Sequence, residues 1–228
     1  MQRNSIVQGD CFDVMKNIKD KTFDVSFTSP PYNRVRNDTY AHFNDVNKNY
    51  GSMLIDLGNE LLRLTKKDVI INIQQNMCNK KDVFNFVGTF CEKIKGVVIW
   101  EKSNPQPNTN YRKSDDTYSV TNAFEYFFVL NENPKEFRAN ENIKNIITTP
   151  VNSLRFNGHG AVMRLDVAEF MIRNFSKEGD FVFDPFMGKG TTAVACINNK
   201  RDFFGTEIIQ DYKEQAEKRI KEIHPSLI

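Results

Sequence analysis

A chain of 228 residues is long enough to bury the core of one large α/β domain. Apolar residues make up 39% and aromatic residues 12%, with Phe used 19 times, which is the composition of a globular protein. The formal net charge is only +2, so a nucleic-acid footprint must be a local patch, and no apolar run approaches the roughly 18 residues needed to span a bilayer.

The N-terminus, MQRNSIVQGD, lacks the apolar stretch of a signal peptide, which leads us to expect a cytoplasmic protein without a membrane anchor. In chain order, short apolar runs predict strands over 5–7, 23–28, 68–73, 97–100, 123–130, 181–184 and 202–206. Helices are predicted between them, over 12–18, 52–64, 82–93, 162–175, 191–199 and 210–223. In the third of these, Val83, Phe86, Val87 and Phe90 share one face at i, i+3, i+4 and i+7. Several of the strands are almost continuously apolar, as central strands covered on both faces are. Such alternation predicts a mostly parallel, doubly wound α/β sheet in a single domain over 1–228.

Two stretches break the alternation. Residues 34–51 are polar, Asn-rich and aperiodic, and we expect a mobile loop there on the side of the strand that ends at Thr28. Residues 103–116 hold Pro105, Pro107 and several Asn, with no apolar face. The four cysteines, Cys11, Cys78, Cys91 and Cys196, form no CxxC pair and have no neighbouring His, so we expect buried reduced thiols and no metal site.

Two of the predicted strands end in loops with chemistry. Thr28-Ser29-Pro30-Pro31-Tyr32-Asn33 offers a hydroxyl, a stiff diproline that presents carbonyls without N–H donors, and an aromatic plate. Asp184-Pro185-Phe186-Met187-Gly188-Lys189-Gly190-Thr191-Thr192 is a Gly-rich turn opening a helix that Thr191 or Thr192 can cap. A phosphate loop fits this second string poorly, because the upstream Gly is missing and no Gly-Lys-Ser/Thr closes it. A dinucleotide site would want a third glycine. Taken singly, each string also reads as an ordinary turn. Both, however, leave the carboxyl ends of buried strands, where an open α/β sheet binds its ligands.

Together the two strings resemble the catalytic and cofactor loops of DNA amino-methyltransferases. With the catalytic loop first, the order is the permuted one of that family's beta group. The resemblance implies a Rossmann-like class I S-adenosylmethionine methyltransferase, with a mostly parallel seven-stranded sheet and helices on both faces. It implies that Asp184, Phe186, Gly188, Gly190, Thr191 and Thr192 hold the methionine part of S-adenosylmethionine. Glu207, at the end of the next strand, would accept hydrogen bonds from ribose hydroxyls. Asp10 and Cys11, in Ile6-Val7-Gln8-Gly9-Asp10-Cys11-Phe12, look like the adenine-binding segment. The stretch around His159 stands where the family has a further cofactor segment. The segment Ile99-Trp100-Glu101-Lys102-Ser103-Asn104-Pro105-Gln106-Pro107 is similar to one that borders the target-base pocket in the family.

The implied catalytic residues are Ser29, Pro30, Pro31 and Tyr32. Ser29 Oγ and the Pro30 carbonyl would accept from the target amino group and stabilise the charge that develops on it. Tyr32 would stack on a base flipped out of double-stranded DNA. Residues 103–156 are the candidate DNA-recognition region, and Arg34, Arg36, Lys102, Arg112 and Lys113 the candidate DNA contacts. None of the eight prolines precedes a Cys, which disfavours cytosine carbon-5 chemistry. Ser at position 29 leans toward cytosine N4, with adenine N6 the alternative. Other readings are methylation of RNA or a small molecule, or a catalytically inactive DNA-binding partner subunit with the same fold. A homodimer and a cognate restriction enzyme are the candidate protein partners.

Overall fold

The computed structural model describes residues 1–33, 47–105, 120–151 and 162–225. Its strands are β1 (Ser5–Gln8), β2 (Val25–Thr28), β3 (Val69–Ile73), β4 (Ile94–Lys102), β5 (Phe124–Leu130), β6 (Ile146–Thr149), β7 (Phe181–Asp184) and β8 (Asp202–Glu207). The helices are α1 (Cys11–Met15), α2 (Tyr50–Leu64), α3 (Lys80–Thr89), α4 (Leu165–Phe175), α5 (Thr191–Asn198) and α6 (Gln210–Ile223).

The strands form one sheet in the order β1-β8-β7-β2-β3-β5-β4-β6. From β1 through β3 all neighbours are parallel, β5 runs antiparallel to both β3 and β4, and β6 is parallel to β4. The expected mostly parallel α/β architecture therefore holds, with eight strands in place of the expected seven. The additional strand is β6, which lies on the sheet edge with only Thr149 buried.

Side chains on successive strand residues point to opposite faces. Ile70, Val25, Phe27 and Val182 accordingly pack with α4, α5 and α6, while Val69, Ile71, Phe181 and Phe183 pack with α1, α2 and α3. The three central strands β2, β3 and β7 are buried along their whole length, which is why their sequences are nearly continuous apolar runs. Helix α2 buries Leu54, Leu57 and Leu61 at i, i+3 and i+7, and α3 buries Val83 and Phe86 against the same layer. Helix α2 starts at Tyr50, so the expected loop over 34–51 ends earlier than its composition suggests. Residues 34–46 of that loop lie outside the described residues.

Two of the four cysteines, Cys11 and Cys196, are buried as expected, whereas Cys78 and Cys91 are exposed. All four are free thiols. Among the described residues, no helix is long and apolar enough to cross a membrane, and no cluster of His, Cys, Asp and Glu could hold a metal ion.

Candidate active site

The topology sets the site. Strands β7 and β2 are parallel neighbours in the middle of the sheet, with Val25 opposite Val182 and Ser26 opposite Phe183. The chain after β7 continues outward to β8 on one side, and the chain after β2 continues to β3 on the other. The two loops therefore diverge from adjacent carboxyl ends and leave a crevice between them. Ser29, Pro30, Pro31, Tyr32, Asp184, Phe186, Gly188, Thr191, Thr192 and Glu207 all line one open cleft there. A second hollow adjoins it, sharing Pro31, Phe186 and Ile208 and adding Asp10 and Cys11. The structure thus brings the residues expected for catalysis and for the cofactor to one edge of the sheet.

Asp184 holds the two loops together. Its side chain is buried; Oδ1 accepts from Thr28 Oγ1 at 2.7 Å and from the Phe186 N–H at 3.0 Å, and Oδ2 accepts from Thr192 Oγ1. Burial raises its pKa from 3.8 to about 6, against the opposing pull of those three hydrogen bonds. Gly188 and Gly190 sit at φ +53° and +77°, as the turn requires. Gly190 is itself the N-cap of α5 and neither Thr makes a capping hydrogen bond, contrary to the expectation for Thr191 and Thr192. Thr192 instead donates to Asp184, and Thr191 Oγ1 accepts from Arg219 at 3.1 Å.

Glu207 is buried with both oxygens engaged. Oε2 accepts from the Gly188 N–H at 2.8 Å and Oε1 from the Ile209 N–H at 2.9 Å. Burial raises its pKa from the ordinary value. A carboxylate oxygen can accept more than one hydrogen bond, so Glu207 shapes the Gly-rich turn and can still receive a ligand hydroxyl. Asp10 caps α1 through Oδ1, accepting from the Phe12 N–H at 2.8 Å, and it also lines the second hollow. Burial, followed by the nearby Asp10 charge, pushes the Cys11 thiol up to about 12, which keeps it in the neutral thiol form.

On the catalytic side the structure adds residues that the sequence did not single out. Ser29 Oγ donates to Asn72 Oδ1 at 3.2 Å and lies 2.8 Å from Tyr32 Oη. Tyr32 Oη is in turn within reach of Asn72 Oδ1 at 2.6 Å and of Glu125 Oε2 at 3.0 Å. Asn72 Nδ2 donates to the Tyr126 carbonyl at 3.0 Å, which fixes the amide so that Oδ1 faces Ser29 and Tyr32. When its proton is directed to Asn72, the Ser29 oxygen retains acceptor capacity for an incoming amino group. The Tyr32 carbonyl accepts from Asn76 Nδ2 at 2.9 Å and Asn79 Nδ2 at 2.8 Å, so two amides fasten the diproline loop. The one legible clue was Asn72 itself, a polar residue inside the apolar run Val69–Ile73 and completely buried.

Of the expected DNA contacts, Lys102 is not a free surface cation. Its side chain is 11% exposed and its Nζ pairs at 3.1 Å with Glu125 Oε1, the carboxylate whose other oxygen meets the Tyr32 hydroxyl. Arg34, Arg36, Arg112 and Lys113, together with His159, lie outside the described residues.

A doubly wound sheet whose switch-point cleft is walled by a Gly-rich turn on one side and a Ser-Pro-Pro-Tyr loop on the other defines a class I methyltransferase fold. The family model N6_N4_Mtase, described as DNA methylase, matches residues 23–218, and the chain belongs to that family. It is 27% identical over 95% of its length to the type II beta methyltransferase M.BslI of Bacillus sp. (strain NEB-606), of which the match spans 27%. It is also 27% identical to the orphan methyltransferase M.BamHII of Bacillus amyloliquefaciens, over 90% of this chain and 91% of that one. The fold is similar to that of PvuII DNA methyltransferase (cytosine-N4-specific), with a TM-score of 0.76 at 15% identity, covering 100% of this chain and 93% of that one.

Proposed function

We propose that the chain transfers the methyl group of S-adenosylmethionine to an exocyclic amino nitrogen in double-stranded DNA, and that the nitrogen is cytosine N4. The observation that carries the reading is the shared cleft, in which the Gly188–Gly190 turn and Ser29 face one another across the joint made by Thr28 and Asp184. Membership of the N6/N4 family supports it, and solved structures of this fold hold S-adenosylmethionine.

S-adenosylmethionine, when bound, supplies an electrophilic methyl group. The residues of the chain supply the rest. The Asp184–Thr192 loop would hold the methionine part of the donor and Glu207 its ribose, with Asp10 and Cys11 toward its nucleoside end. Ser29 Oγ and the Pro30 carbonyl accept the two amino N–H bonds, drawing the nitrogen lone pair out of conjugation with the ring and stabilising the positive charge that forms. Tyr32, buried at 7% exposure, lines the cleft with Asn72 and Glu125 holding its hydroxyl, and it is the proposed stacking partner of a flipped base. Position 29 carries a neutral hydroxyl, a weaker acceptor than a carboxylate, and the lean to cytosine N4 over adenine N6 rests on the resemblance of Ser-Pro-Pro-Tyr to the loop of family members that make N4-methylcytosine. Arg34 and Arg36 beside the diproline loop, and Arg112 and Lys113 within a recognition region over 103–156, are the proposed DNA contacts, and a homodimer widens that footprint.

The test is incorporation of labelled methyl groups from S-adenosylmethionine into duplex DNA, RNA and small amines in parallel, with Ser29→Ala as the control. Label is expected in duplex DNA alone and falls in the variant. Labelling of RNA or a small amine in place of DNA rejects the reading, and a wild-type chain that binds DNA without labelling it supports an inactive partner subunit.

A further inference from the structure

We propose that Glu125 is a positioning residue for methyl transfer, which acts through the Tyr32 hydroxyl to fix the direction of the Ser29 proton and to lend negative charge to the Ser29 oxygen. The proposal rests on the reading of Ser29 as the acceptor of the target amino group. Topology brings the carboxylate to that place. Strand β5 runs antiparallel to β3, so its amino end lies at the edge of the sheet where the cleft opens. Glu125 is the second residue of β5, is 8% exposed, and pairs across the ladder with Trp100. Lys102 stands two residues further along β4, on the same face as Trp100, and its Nζ holds Glu125 Oε1. The remaining oxygen, Oε2, faces Tyr32 Oη.

The Tyr32 hydroxyl has one proton to give. Among the described residues three side-chain oxygens lie around it: Asn72 Oδ1 at 2.6 Å, Ser29 Oγ at 2.8 Å and Glu125 Oε2 at 3.0 Å. An amide oxygen and a carboxylate oxygen only accept. The Tyr32 proton is therefore held on the side of Asn72 and Glu125, and in the bond between the two hydroxyls Ser29 is the donor. A charged acceptor forms a hydrogen bond roughly twice as strong as a neutral one, so Glu125 dominates that choice. Asn72 is neutral and has no charge to contribute. In a buried chain each hydrogen bond polarises the next. Density passed from Glu125 through Tyr32 to Ser29 makes the Ser29 oxygen a stronger acceptor where positive charge develops on the amino nitrogen. The hydroxyl at position 29 thus borrows part of the charge that a carboxylate there would carry.

The experiment is steady-state methylation of duplex DNA by the full chain as wild type, Glu125→Gln, Tyr32→Phe and the double variant, with S-adenosylmethionine affinity titrated on each preparation. In Glu125→Gln the amide oxygen stays with Lys102 Nζ and an amide N–H turns to Tyr32 Oη, which drives the Tyr32 proton away from position 125. The kcat of each single variant is expected to fall about tenfold or more, while cofactor affinity stays within about twofold of wild type. In the Tyr32→Phe background, Glu125→Gln is expected to change kcat by less than about twofold, because the hydroxyl that carries its effect is gone. Full turnover by either single variant overturns the proposal. An equal loss from Glu125→Gln in both backgrounds, or a loss of cofactor affinity that accounts for the lost turnover, shows a packing role and overturns it as well. A wild-type chain that transfers no methyl group to DNA overturns the reading of the cleft itself, an outcome told apart by the missing wild-type rate.

Discussion

Thr28 Oγ1 donates a hydrogen bond of 2.7 Å to Asp184 Oδ1 across 156 residues of sequence, and through it β2 and β7 meet at their carboxyl ends. The carboxyl group at this joint titrates in an unusual range. Burial holds its pKa at about 6 instead of 3.8, so the native state keeps the proton more tightly than the unfolded chain does. Stability from this group is therefore gained as pH falls from about 6 toward 4, and lost as pH rises through about 6. In Asp184→Asn that dependence is absent. As pH falls across this window, the unfolding free energy of wild type relative to the variant is expected to rise by up to about 1.4 kcal/mol per pH unit. Denaturant titrations from pH 4 to 7 measure it, and a constant difference contradicts the assignment.

The two glycines of the turn respond differently to substitution. At Gly188 a Cβ would meet nothing nearer than the Phe186 carbonyl at 3.9 Å, so the demand there is conformational. At Gly190 a Cβ would lie 3.0 Å from the Ala216 Cβ and 3.3 Å from its Cα. Asn tolerates the left-handed region better than most residues. Gly188→Asn is expected to keep the fold, and Gly190→Asn to cost about 1–3 kcal/mol more. Thermal unfolding of the pair checks this, and equal losses would show that the turn does not rest against α6.

Asn72 is expected to act on turnover and not on the cofactor. Asn72→Ala leaves the Ser29 proton and the Tyr32 hydroxyl without their common acceptor, which lowers kcat about tenfold at one hydrogen bond's worth of positioning. Affinity for S-adenosylmethionine, titrated on the same preparation, stays within about twofold of wild type. A change in affinity with unaltered kcat would show that Asn72 serves only the strand.

The ion pair between Lys102 and Glu125 makes a further prediction. Each phosphate contact contributes about −0.9 to the slope of log affinity against log salt on B-form DNA. Lys102→Met is expected to leave that slope unchanged while lowering turnover, because Lys102 supports Glu125 at the Tyr32 hydroxyl. A slope smaller by about one unit would return Lys102 to the DNA backbone.

The sequence made the elements legible where local pattern and burial agree. Helix α6 and strand β7 span the predicted 210–223 and 181–184, since an amphipathic period and a continuous apolar run each leave one choice. Strand β6 was missed because Ile146–Thr149 is mostly exposed and becomes a strand only by pairing with β4, a contact no local pattern reports. Strand β4 is longer than the predicted 97–100 for the same reason, as partners on both sides extend it to Ile94–Lys102. The loop residues of the site were legible from motif order, whereas Asn76, Asn79 and Glu125 were not. Asn76 and Asn79 reach Tyr32 from the connection between β3 and α3, and Glu125 from β5, so their roles exist only once β2, β3 and β5 lie in one sheet.

The most direct test of the account is the nucleoside formed. Duplex DNA methylated by the purified chain, digested to nucleosides and separated by mass spectrometry, is expected to contain N4-methylcytosine. N6-methyladenine in its place would move the target base and leave amino methylation by this cleft standing. Label confined to 5-methylcytosine, or absent from every nucleoside, would contradict the account.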